Sequence, residues 1–146
     1  MYNFVEKTAK KYGYKGDRGT HFFTIRKIFQ TALNNFSLPK AYGKYLKGAG
    51  YSFADIKAEI NKGNPIILSM HNDGKDYYEN HSITIVGYET YVLGKKEIPM
   101  LIVYDNWYKA ISYVDYNKMS RLSSIHFSEL TFKQKHTMWK QLKNLK

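Results

Sequence analysis

Two runs of strand-forming residues, joined by one short polar segment, constrain this chain more than any other feature. The first, "HSITIVGYETY", covers His81–Tyr91 and places Ile83, Thr84, Ile85 and Val86 in succession. β-Branched residues in such a run fit a pleated surface far better than a helix. The second, "MLIVY", covers Met100–Tyr104 and stops abruptly at Asp105, Asn106 and Trp107. Between them stands "GKKEIP", which reads as a loop. Consecutive strands with a short connection pair antiparallel, so the start of the first lies beside the end of the second. His81 is thereby brought near Asp105 and Asn106. Beside a carboxylate or an amide, an imidazole is held in one tautomer and one orientation.

Which of the two shares a face with His81 depends on register, because side chains alternate along a strand. Opposed residues in an antiparallel pair have position numbers with a constant sum. If Leu93 opposes Lys96, that sum is 189 and Asn106 lies on the face of His81. If Leu93 opposes Glu97, it is 190 and Asp105 does. Turn chemistry alone leaves both registers open. Each residue taken singly also has an ordinary reading: a hydrogen-bonded histidine at a strand start, and an Asp-Asn turn after a strand.

The remaining pattern supplies helices before this hairpin. Residues 3–13 predict a helix ending at Tyr12-Gly13, and "GYKGDRGT" a polar loop. Thr20 is placed to cap a second helix whose Phe22, Ile25, Phe29, Ala32 and Phe36 recur at helical spacing. Leu38-Pro39 ends it. Ser52 caps a third helix, Asp55 sits in its favourable first turn, and Phe53, Ile56 and Ile60 form its apolar stripe. Gly63 and Pro65 terminate that helix. Ile66–Met70 reads as a short strand buried on both faces, Ala110–Val114 as a further strand, and Thr131 with Gln134 as the start of a last helix. Helices followed by an antiparallel sheet and a C-terminal helix give an α+β fold, read as a single domain over residues 1–146.

Composition narrows the function classes. At 146 residues and 43% hydrophobic content, the chain can bury a core, and Tyr 14 and Phe 8 make that core aromatic. No apolar run approaches the roughly 20 residues of a bilayer span, and "MYNFVEKTAKKYG" has no apolar signal segment. The net charge of +11 would attract polyanions, although the lysines are dispersed. The chain has no cysteine, which excludes disulfides and thiolate metal sites. His71, Asp73, Asp76 and His81 could together touch a metal, but their spacing matches no strong ligand motif, so neither a metal nor another cofactor is expected. The loop "GDRGT" lacks the Lys-Ser/Thr ending of a phosphate loop.

Taken together, "GNPIILSM", "NHSITIVGYE" and "MLIVYDNWY" resemble the papain-like cysteine peptidases, and within them the C39-like peptidase families of bacteria. The likeness is strong over residues 45–116 and looser over the N-terminal helices. It implies a papain-like fold with substrate held between a helical half and the sheet. It implies that His81 is the general base and Asp105 its orienter, because Trp107 matches the tryptophan of the Asn-Ser-Trp pattern in that family. Asn106 is the alternative orienter. This choice selects the longer loop, with Leu93 opposite Glu97, and it places Trp107 over the pair.

The departure is the nucleophile. The resemblance calls for a cysteine at a helix N-terminus, where the helix dipole and an imidazolium generate thiolate. No cysteine is present. Ser69 lies in a strand, the Ser82 side chain alternates to the sheet face opposite His81, and Thr20 and Ser52 are caps. The expectation is a domain that begins after the nucleophile helix: a fragment, a natural truncation, or a chain completed by a partner. The apolar face left by a missing helix predicts a homodimer or a helix supplied in trans. The function expected is a catalytically incomplete C39-like peptidase domain, with a non-catalytic peptide- or polyanion-binding module as the alternative. As part of a longer precursor it would be secreted or held at the cell envelope; otherwise it would be cytoplasmic.

Overall fold

The computed structural model describes residues 2–16, 19–35, 42–45, 52–70, 78, 80–119 and 124–129. The chain forms two compact units, Met1–Lys44 with Ser128–Lys146, and Tyr45–Phe127. The helix expected from Thr131 lies outside the described residues, as do Phe36, Leu38-Pro39, and His71, Asp73 and Asp76 of the polar loop. Among the described residues no helix is long and apolar enough to cross a membrane.

In the first unit, α1 (Tyr2–Lys11) and α2 (Phe22–Asn35) pack together. The Tyr12 hydroxyl reaches Thr31 Oγ1 at 3.3 Å. One detail differs from the sequence reading. The α2 helix starts at Phe22, so His21 and not Thr20 precedes it, and the His21 carbonyl accepts from both the amide (2.8 Å) and the hydroxyl (2.7 Å) of Thr24. Among the described side chains of α2, Ile28 and Leu33 are the most buried and flank the predicted stripe of Ile25, Phe29 and Ala32, which are half-buried. A short strand, β1 (Tyr42–Tyr45), follows.

The second unit holds the core. Its α3 helix (Phe53–Asn61) opens with a complete capping box: the Ser52 hydroxyl accepts from the Asp55 amide, and the Asp55 carboxylate accepts from the Ser52 amide at 2.9 Å. Two orphan donors of the first turn are thus satisfied reciprocally. Beyond Lys62 the chain turns at Gly63, with φ 75°. Ile56 of α3 is fully buried, and Phe53 and Ile60 pack beside it.

Against α3 lies an antiparallel sheet. Its strands are β2 (Ile66–Ser69), β3 (Ser82–Leu93), β4 (Lys96–Tyr104) and β5 (Ser112–Asp115), with β6 (Ser124–Glu129) on the far side of β2. Residues 124–127 of β6 pair with β2, a strand the sequence reading did not assign. Ile66, Leu68, Ile83, Ile85, Leu101 and Val103 are all inaccessible to solvent and face Ile56 in one cluster. Burying an aliphatic side chain of this size contributes roughly 1.5–3 kcal/mol. A 3₁₀ turn, Tyr116–Lys118, follows β5, and the Tyr116 ring packs on Phe53 at 5.3 Å.

The hairpin is tighter than "GKKEIP" suggests. Leu93 pairs with Lys96, leaving a two-residue turn of Gly94 and Lys95. Gly94 has φ 62°, the left-handed conformation that such a turn demands and glycine adopts without steric cost. This is the shorter register, with positions adding to 189, and not the longer loop that the resemblance selected. The register does not persist. Gly87 opposes Ile102, but Ile85 opposes Val103, so Val86 is an extra, unpaired residue and the sum falls to 188. The bulge inverts the alternation of β3. Ile83, Ile85 and then Tyr88 turn toward the core, while Val86 is exposed. Gly87 has its own reason to be small: a Cβ there would lie 3.1 Å from Ile102 Cδ1 and 3.3 Å from Ile102 Cβ.

Replacing Ser52 with Ala removes one half of the capping box and should cost about 1 kcal/mol. Ile85→Ala should cost about 2–5 kcal/mol, because it opens a cavity in the sheet–helix core. Urea denaturation of both variants gives the comparison, and equal losses would contradict the placement of Ile85.

Candidate functional site

The bulge at Val86 decides what meets at the sheet end. With positions adding to 188, continuing the register places Asp105 opposite Ile83 and Trp107 opposite His81. His81 and Asp105 therefore share the inner face, by a route the sequence reading did not contain. The hairpin took the register assigned to Asn106, and the bulge then turned His81 to the face of Asp105. Asn106 is exposed, with φ 63°, and does not hydrogen-bond His81. Asn80, directly before His81, has φ 50°. Asparagine tolerates this left-handed region better than most residues, and the two asparagines turn the chain sharply at the two strand ends. The main chain of His81 is anchored as well, its carbonyl accepting from the Met70 amide at 2.8 Å.

The contact between His81 and Asp105 does not run through the carboxylate. His81 Nε2 lies 2.5 Å from the main-chain carbonyl oxygen of Asp105. A carbonyl can only accept, so Nε2 is the donor, and in a neutral ring the lone pair is left on Nδ1. The side chain of Asp105 is 1% exposed and fully committed elsewhere. Its Oδ1 accepts from the amides of Trp107 (3.0 Å) and Tyr108 (3.1 Å). Its Oδ2 accepts from the hydroxyls of Ser112 (2.8 Å) and Tyr78 (3.1 Å). A carboxylate offers about four acceptor sites, and all are occupied. The contact that the sequence reading drew from carboxylate to imidazole is therefore replaced by one from the carbonyl of the same residue.

Burial opposes the ionised form of Asp105, but the hydrogen bonds from Ser112, Tyr108, Trp107 and Tyr78 outweigh it, and its carboxyl titrates below the usual aspartate value of 3.8. The turn reading and the site reading of the Asp-Asn sequence thus meet in one residue. Its carboxylate builds the turn, and its carbonyl holds the histidine.

Two rings pack against this contact. The Trp107 indole stacks on the imidazole with centroids 4.5 Å apart and planes at 28°. Tyr78 stacks on it from 5.9 Å at 21°, and Tyr78 and Trp107 meet at 5.1 Å. Tyr78 is buried, whereas Trp107 is about half exposed, as are Tyr108 and Ile111 of the same loop. Neither Tyr78 nor Ser112 was singled out from sequence. A tyrosine in a polar loop and a serine opening a strand carry no periodic signal, and only the fold brings their hydroxyls to Asp105. Ser69 and Ser82 hydrogen-bond each other at 2.9 Å across β2 and β3, on the alternate face from Ile83. Among the described residues no group of three His, Cys, Asp or Glu side chains gathers as a metal site.

The lowered carboxyl of Asp105 sets a pH dependence. The native state holds this group ionised more tightly than the unfolded chain does. Its contribution to stability is therefore complete above the ordinary value of 3.8 and is lost as pH falls through the lowered native value. Asp105→Asn should be less stable at neutral pH and should show a flatter loss of stability below about pH 4. Acid titrations of unfolding for both proteins give the comparison; parallel curves would contradict it.

No curated protein and no solved structure matches this chain. One family model does, that of the Peptidase_C39 like family, over residues 5–144. The matched span takes in the N-terminal helices as well as the sheet, and no cysteine occurs within it. Matched over nearly its whole length, the chain belongs to the Peptidase_C39 like family.

Proposed function

We propose that this chain is a papain-like peptidase domain that retains the histidine side of a thiol-hydrolase site but supplies no thiol, and so does not hydrolyse amides by itself. The observation that supports this most directly is His81. Its Nε2 proton is given to the Asp105 carbonyl, which leaves Nδ1 as the nitrogen able to accept a proton. A general base in this state needs a nucleophile within hydrogen-bond reach of Nδ1. Cysteine is absent from the sequence, and the Ser69–Ser82 pair lies on the other sheet face. Hydrolysis through a thioester would require a cysteine from another segment or another chain. In that reaction His81 is the base, Asp105 its orienter through the carbonyl, and Asn106 shapes the turn. A homodimer or a partner chain that brings a helix to the sheet is the arrangement this reading favours.

Without a thiol, the same site can bind peptide. Trp107, Tyr108 and Ile111 present exposed apolar surface on the loop that Asp105 fixes. The net charge of +11 favours a second reading, a binding module for polyanions. The two separate by salt. Polyanion binding should weaken steeply as salt rises, whereas contact with an aromatic loop should not.

The test is a peptide library incubated with the purified chain. The expected result is no new amino terminus and no labelling by an iodoacetamide probe, with peptide binding that weakens in Trp107→Ala. Amide cleavage that disappears in His81→Ala would overturn the reading, since the chain would then possess a nucleophile of its own.

A further inference from the structure

We infer that Tyr78 is a positioning residue for His81, a role that rests on the reading of His81 as the proton-accepting group. A single hydrogen bond fixes one atom of an imidazole, not its plane. Among the described residues the His81 ring is hydrogen-bonded through Nε2 to the Asp105 carbonyl only, and that bond by itself lets the ring swing. Two mutually packed aromatic rings to one side of the imidazole restrict this freedom. Tyr78 stacks on the imidazole at 21° and on the Trp107 indole, while Trp107 stacks on the imidazole at 28°.

Trp107 is half exposed, whereas Tyr78 is 6% exposed. A buried ring surrounded by packed neighbours is a firmer reference than one open to solvent. The Tyr78 hydroxyl adds a second constraint by donating to Asp105 Oδ2 at 3.1 Å. The result is a closed circuit. His81 is bonded to the carbonyl of Asp105, Asp105 is bonded through its carboxylate to Tyr78, and the Tyr78 ring stacks on His81. Plane and hydrogen bond are thereby referred to the same residue. The direction of the Nδ1 lone pair, on which any proton transfer depends, is then fixed by Tyr78 together with Asp105.

A buried tyrosine that merely fills space would affect stability and leave the imidazole unchanged. The two roles separate in the ¹⁵N–¹H spectrum of His81, recorded on the whole chain without ligand. Wild type should show one tautomer, protonated at Nε2, with a slowly exchanging proton. Tyr78→Phe keeps the ring and loses the hydroxyl. It should keep the tautomer and exchange the Nε2 proton roughly tenfold faster, near the lower worth of a hydrogen bond to a charged group. Tyr78→Leu should show averaged tautomers and a downfield shift of the imidazole protons as the ring current is lost. Ile85→Val, a core change away from the cluster, should leave the His81 signals as in wild type.

A folded Tyr78→Leu protein that retains the wild-type tautomer and exchange rate would overturn the inference. If the Leu variant does not fold, the Phe variant decides alone, and an unchanged exchange rate there would overturn it. Neither readout involves peptide or a thiol. Amide cleavage by the chain would refute the proposed function and leave these spectra unaffected, and unchanged spectra would refute the role of Tyr78 and leave the function standing.

Discussion

Four hydrogen bonds converge on the buried carboxylate of Asp105, and the arrangement of the sheet end follows from them. An ionised carboxylate out of water is costly unless each oxygen is satisfied. Here no cation does so among the described residues; two amides and two hydroxyls share the charge. The amides belong to Trp107 and Tyr108, so satisfying the acid folds the loop after β4 back on itself. The hydroxyls belong to Tyr78 and Ser112, so it also ties in the segment before β3 and the start of β5. Three separate pieces of chain are joined at one group. With its acceptor sites filled, the side chain has nothing left for an imidazole, and His81 takes the main-chain carbonyl instead.

This arrangement depends on one irregular residue. Had the hairpin kept its initial register, Asp105 would still follow Leu101 and Val103 inward, and His81 would lie on the outer face with Asn106. The unpaired Val86 turns His81 inward. It also gives the Val-Gly-Tyr sequence a physical meaning. Val86 is the bulge, Gly87 makes room for Ile102, and Tyr88 resumes the inward face against Phe53. A bulge re-aims every residue on one side of it, so a device in mid-strand determines which strand-end residue reaches the histidine.

Much of this was legible in the sequence, for reasons that can be named. The α3 helix was readable because Ser52, Asp55 and Gly63 are local signals that act through the backbone within a few residues. The α+β order was readable because β-branched runs and helical spacing differ in period. The meeting of His81 with Asp105 was readable in outline, since any antiparallel hairpin brings those ends together. Its form was not. A bulge has no reliable mark in composition, and Val86 resembles its neighbours. Whether an aspartate uses its carboxylate or its carbonyl depends on how many donors surround it, and Tyr78 and Ser112 reach it only through the fold.

The separation of duties at Asp105 bears on what the absence of a thiol means for this family member. A histidine oriented by a side-chain carboxylate draws its basicity from that charge, and losing the charge changes its chemistry. A histidine oriented by a main-chain carbonyl is held by the path of the backbone, while the carboxylate stabilises that path. The site of His81 is then part of the fold's own stability, since the same hydrogen bonds close the β4–β5 loop and fix the imidazole. Such a site would persist in a chain that performs no hydrolysis, because removing it would cost the sheet end its structure. Retention of the His81–Asp105 contact is therefore expected on structural grounds alone. Chemistry at this site belongs to the Nδ1 side of the ring, for which the described residues supply no fold-stabilising hydrogen bond.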